Sequence, residues 1–477
     1  MNWSNIIGLM GYSLEEKKMK LADGKKDTMM TDGSIAKHFI KFSIPLMLGY
    51  VFQQLYNTVD SITVGQFVSV QALAAVGSTT SIQNMLIGLF MGFATGAGVI
   101  IAQHYGAKED EKVSDAVHTS MVLALVFGVA IAFIGWFLAP AMLKFMSTPD
   151  DVFEDAQTYL RIYFAGAPGL LVYNLGSGIL RSVGDSQRPL YFLIVSAVVN
   201  IAFDLLFVIV FQMGISGVGY ATILAEFVSA VCVVFVLVRT DGNYRLNPRE
   251  LRIHKNSLKR IIRIGLPTSI QQTLVSFSNV FVQSYINAFQ TECMAGWSSY
   301  NKIDGYTGIP LMSISLACTT FVGQNIGAGN MKRAKQGVKV AFAMGVISLV
   351  IIVIPIEIFA PQLIGLFTDD SEAASYGVMF LRWIAPMNLL LVGNQIFMGS
   401  LRGVGDTQIP TLIQIFSFIV VRQIYLAVIS RLTDSPLAIG LSYPVGWGVC
   451  SALLAIYYYK SGWEKKRIQL TGKPVEE

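Results

Sequence analysis

Three side chains carry chemistry that their surroundings make costly. Asp60 lies inside the apolar run FIKFSIPLMLGYVFQQLYNTVDSITV at 39–64, and Asn200 and Asp204 lie inside PLYFLIVSAVVNIAFDLLFVIVF at 189–211. An ionised carboxylate in hydrocarbon costs at least about 2.5 kcal/mol unless it is compensated. Asn200 and Asp204 are four apart and so share one helix face. Asp60 follows Pro45 by 15 positions, and Asp204 follows Pro189 by the same 15. At 1.5 Å per residue both acids lie roughly 22 Å along their helices, in the far part of a membrane core about 30 Å thick. Thr222, roughly 10 Å into the next apolar run, falls at nearly the same level. Carboxylate, amide and hydroxyl oxygens suit a small hard cation. Two adjacent buried carboxylates also raise each other's proton affinity. The set therefore accommodates H+ or Na+. The bland alternative is a hydrogen-bonded pair that only locks two helices.

The elements that must position these groups are transmembrane helices. The chain has 477 residues, of which 53% are hydrophobic and 14% charged, and its mean hydropathy is +0.56. Repeated apolar runs of about 20 residues predict an all-α polytopic membrane protein. Twelve are expected, at 39–64, 73–103, 115–139, 156–183, 189–211, 215–239, 260–288, 293–325, 337–360, 377–404, 409–431 and 436–459. Lysine and arginine concentrate before the first run, in the loops after the second, sixth and eighth runs and in the tail. The positive-inside rule then places both termini in the cytoplasm and the acids in the outer half of the membrane. It also explains the net charge of +5 without nucleic acid. The four cysteines and four histidines are dispersed, with no metal-ligand spacing. There is no P-loop, nucleophile motif or soluble catalytic domain, which argues against an ATP-driven pump and against an enzyme. No cofactor is expected beyond the coupling ion.

The chain is one unit written twice. LRSVGDSQRPL (180–190) returns as LRGVGDTQIPT (401–411), and AQHYGAKEDEKVSDAV (102–117) as GQNIGAGNMKRAKQGV (323–338), both at an offset of 221. FSIPLMLGY (42–50) returns as IGLPTSIQQ (264–272) at 222. A fixed offset across several blocks marks a duplication. Six spans per unit give parallel repeats, hence two parallel six-helix bundles with a central cavity. The expected division is a cytoplasmic extension at 1–38, a first lobe at 39–239, a linker at 240–259, a second lobe at 260–460 and a cytoplasmic tail at 461–477. Carried across the repeat, Asp60 meets Val282, Asn200 meets Val421, Asp204 meets Tyr425 and Thr222 meets Tyr443. The polar set exists in the first lobe alone. Gln53, Tyr56, Asn57 and Asn174 are weaker candidates for lining a substrate cavity, as are Lys302 and Asp304, which could instead pair with each other. Glu226 and Arg422 read equally as lining groups or internal pairs.

The parallel repeat, YNTVDSITVG in the first span, LRSVGDSQRP before the fifth and NIAFD within it resemble the multidrug and toxic compound extrusion (MATE) transporters, over about residues 30–460. The seventh span, LPTSIQQTLVSFSNVFVQSYI, lacks the acid that some branches carry, which favours a DinF-like or related prokaryotic branch. The resemblance implies an antiporter in a prokaryotic plasma membrane that exports amphipathic organic cations or drugs by alternating access, driven by H+ or Na+. Asp60, Asn200, Asp204 and Thr222 match the family's first-lobe cation site. A monomer is expected, because the cavity lies within one chain. A flippase or exporter for a lipid-linked or polysaccharide precursor is the alternative.

Overall fold

The computed structural model describes residues 29–463, Ser147 excepted. The expected extension and tail fall mostly outside the described residues. Twelve long helical elements run in order through the described residues. They are α1 (Ile35–Phe67), α2 (Val70–Gly106), α3 (Asp110–Phe145), α4 (Asp150–Ser182), α5 (Gln187–Val210), α6 (Gly214–Arg239), α7 (Lys255–Ile286), α8 (Thr291–Gly327), α9 (Met331–Ile358), α10 (Ser371–Val404), α11 (Gln408–Leu432) and α12 (Pro436–Lys460). Ten are long and apolar enough to cross a membrane; α4 and α7 match them in length, at 33 and 32 residues, but are more polar. Ile347, Ile351, Ile354 and Ile358 of α9 lie exposed on one face. Such a stripe is stable against lipid and not against water.

Local chemistry sets the helix ends. Ser69 caps α2 by accepting from the Ala72 amide at 3.0 Å, and Asp370 caps α10 by accepting from Ala373 at 2.7 Å. The repeated loop turns on glycine. Gly184 has φ +90° and Gly405 has φ +89°, a left-handed conformation that disfavours any Cβ. Asp185 then accepts from the Gln187 and Arg188 amides, which starts α5.

The halves form two hydrophobic cores, and each lends the other a helix start. Phe39 and Phe42, at the beginning of α1, are buried in the core of the second half. Their counterparts in the repeat, Ile261 and Ile264 at the beginning of α7, are buried in the core of the first. The two halves meet closely where α2 and α8 end. Gly106 and Gly327 leave no room for a Cβ there, each abutting the main-chain carbonyl of the other half's glutamine, Gln324 or Gln103.

Candidate functional site

Four helices converge on the acids of the first half. α1 supplies Asp60, α5 supplies Asn200 and Asp204, α6 supplies Thr222 and α4 adds Tyr159. Asp60 and Thr222 are each 9% exposed, Asn200 is 2% and Asp204 is 0%. The Asp60 carboxyl faces the side chains of both Asp204 and Asn200. No regular hydrogen bond closes between these three. Asp60 Oδ1, both polar atoms of Asn200 and both carboxylate oxygens of Asp204 are buried without a partner. The Thr222 hydroxyl donates to the Val218 carbonyl at 2.9 Å, and the Tyr159 hydroxyl approaches Thr222. Leaving such groups unsatisfied is expensive. A proton shared between the carboxyls, or a small cation among their oxygens, would satisfy them.

Glu226, which the sequence reads equally as a lining group or an internal pair, borders this group through Tyr56 and Tyr159. It lies four positions beyond Thr222, hence one turn along the same face of α6. Its Oε2 is buried without a partner, and the hydroxyls of Tyr56, Tyr159 and Tyr163 lie within electrostatic range of it. No cationic side chain pairs with it among the described residues. The i, i+4 spacing from Thr222 was the available clue.

The weaker candidates separate. Tyr56 approaches Gln53, Asp60 and Glu226 and so borders the acid cluster. The Asn57 side chain lies outside the described residues. Asn174 turns its amide onto its own helix, donating to the Leu170 carbonyl at 2.8 Å. Lys302 and Asp304 do not pair. Lys302 is exposed and lies over the Phe367 ring, whereas Asp304 accepts from Asn388 at 2.8 Å and Thr307 at 3.2 Å. Separated by a single position on one helix, they point about 200° away from each other.

The repeat correspondence also needs correcting in one stretch. α5 carries a π-helical turn at Leu205–Val210, after Asp204, but α11 carries its own at Phe416–Val421, before Arg422. The amide of Phe211 donates to Leu206 and that of Arg422 to Ser417, five positions back instead of four. A π-turn adds one residue and rotates the rest of the helix by about 100°. Between the two turns the structural offset is therefore one greater than the 221 of the flanking loop. Asn200 corresponds to Arg422 and Asp204 to Leu426, in place of Val421 and Tyr425. Burial agrees: Arg422 is 1% exposed and Leu426 0%, while Val421 and Tyr425 are only part-buried.

The MatE family model matches twice, at residues 45–206 and 267–428. The chain belongs to the MatE family of membrane transporters. One MatE match falls in each half, in the register of the repeat. A probable multidrug resistance protein, YoeA of Bacillus subtilis (strain 168), is 32% identical over 91% of this chain and 96% of its own length. The probable multidrug resistance protein NorM of Thermotoga maritima is 25% identical over 93% and 96%. Among solved structures, an outward-facing multidrug resistance MATE transporter of the MOP superfamily superposes with a TM-score of 0.87 at 25% identity, covering 93% of this chain and all of that one. The MatE fold thus accounts for both six-helix halves.

Proposed function

We propose that this MatE transporter is a cation-coupled antiporter that exports amphipathic organic cations, drugs among them, across the plasma membrane of a prokaryote, with both termini in the cytoplasm. The observation that carries the reading is the buried, unpartnered oxygen set of Asp60, Asn200 and Asp204 beside Thr222, present in one half only. H+ or Na+ bound there would neutralise the carboxyls, and its release would restore their charge. Such a change in local charge biases a two-state element.

The element it would bias is the pairing of the halves. They are closed at the end formed by Gly106 and Gly327, which positive-inside topology places at the cytoplasmic face. The opposite end, where the acid set lies, would then open outward. In this cycle the cation enters from outside, the halves rock, and the cation leaves inside as substrate moves out. The names of the relatives, probable multidrug resistance proteins, support a drug substrate. A single chain contains both halves and suffices for the cycle.

The test uses purified protein in proteoliposomes. Efflux of a fluorescent organic cation is followed under a pH gradient or a Na+ gradient, with voltage clamped, for wild type and Asp60→Asn. Transport driven by one gradient in wild type and lost in the variant supports the reading and names the ion. If no tested cation moves under either gradient, the substrate class is wrong. If Asp60→Asn remains fully coupled, the site is wrong.

A further inference from the structure

The second half places a guanidinium where the first half places its cation-binding amide. Arg422 is the structural counterpart of Asn200 once the two π-turns are taken into account. The neighbours correspond too. Val282, the counterpart of Asp60, is fully buried, and Leu426 replaces Asp204. Both carboxylates are thus replaced by apolar groups, and a positive charge stands where the amide stood.

Arg422 is held firmly. Its Nη1 donates to Ser278 Oγ at 3.2 Å and to Asn279 Oδ1 at 2.9 Å. Its guanidinium lies 4.5 Å from the ring centre of Tyr443 and 4.9 Å from that of Phe418. Tyr443 is the counterpart of Thr222. Nε is buried without a partner, and no carboxylate pairs with the group among the described residues. Neutral oxygens and aromatic faces therefore hold a buried cation, through hydrogen bonding and cation–π attraction.

We propose that Arg422 is a tethered cation: its guanidinium permanently occupies, in the second half, the place that the mobile coupling cation takes in the first. It acts as a positioning residue, fixing α7, α11 and α12 against one another in a loaded arrangement. Coupling is then confined to the first half, because the second has no empty site to fill. This rests on the antiporter reading given above.

Chemical rescue tests it. In Arg422→Ala the tether is cut but the pocket remains. Thermal unfolding of the detergent-solubilised full chain is measured with added guanidinium chloride, with urea as a neutral isostere, and with matched NaCl, all at low millimolar concentration. Guanidinium is expected to recover at least roughly half of the lost melting temperature, and urea and NaCl almost none, since the site selects charge and shape together. In proteoliposomes, Arg422→Ala is expected to lose cation-driven export roughly tenfold, with guanidinium restoring several-fold and the half-saturating coupling cation unchanged. Arg422→Lys keeps the charge and is expected to retain most activity.

Equal rescue by urea would mean that the residue only fills space, and would overturn the proposal. So would an Arg422→Ala transporter within twofold of wild type, or one that loses only anionic substrates. The melting arm does not depend on transport. Failed rescue with normal gradient-driven export would sink the tethered cation alone. Successful rescue with no gradient-driven export in wild type would sink the antiporter reading.

Discussion

Gln103 and Gln324, counterparts in the repeat, cross between the halves by the same bond in opposite directions. Gln103 Nε2 donates to the Gly403 carbonyl at 2.8 Å, and Gln324 Nε2 donates to the Ser182 carbonyl at 2.8 Å. The two acceptors are also counterparts of each other. The duplication has become a two-fold latch. Gln103 Oε1 also accepts from Arg260 Nη2 at 3.0 Å, and Gln324 Oε1 from the Met30 amide at 2.7 Å. Each glutamine is thus satisfied on both of its ends.

The latch should govern how long that end stays closed. Each bond contributes about 1 kcal/mol, so Gln103→Ala or Gln324→Ala should shift the closed-to-open ratio roughly fivefold. Spin labels placed across this end would show a longer-distance population growing in each variant and more so in the double variant. An unchanged distance distribution would show that the glycine contacts alone hold the closure.

Asp204→Asn should abolish gradient-driven export and leave the protein folded. Asparagine fills the same volume and removes a buried charge, so melting temperature should hold or rise, with a change within about 1 kcal/mol. Loss of coupling combined with preserved or higher stability marks an acid kept for function. A strongly destabilised variant would instead favour a structural pair.

Glu226→Gln separates the acid beside the tyrosines from the main cluster. The variant should fold and bind substrate as wild type does, while export slows roughly tenfold, the scale of losing one positioned proton-transfer group. Export rate against pH, measured for both proteins, checks this. Identical profiles would make Glu226 a lining residue only.

Gly184→Ala and Gly405→Ala should each destabilise the protein by about 1 kcal/mol, because both glycines hold a left-handed backbone that Cβ opposes. Thermal melts should show similar losses for the two, since the turns are repeats of each other. A large difference would mean that one turn carries a further role.

Sequence alone determined the membrane class, the count and order of the helices, the duplication and the acid set. These come from hydropathy and from residue identity, which a lipid solvent reads directly: Asp60 and Asp204 are conspicuous because hydrocarbon makes them costly. Only the tertiary structure decided which residues face one another. LLFVIV and FSFIVV are equally apolar, yet each holds a π-turn at a different point of its half, so a constant offset sends Asn200 to Val421 when its counterpart is Arg422. Lys302 and Asp304 are close in sequence but diverge around the helix. The starts of α1 and α7 exchange cores, although hydropathy assigns each to its own half. The physical reason is common to all three. Hydropathy reports the surrounding solvent, whereas the register of a helix and the partner it packs against are set by contacts with chain far away in sequence.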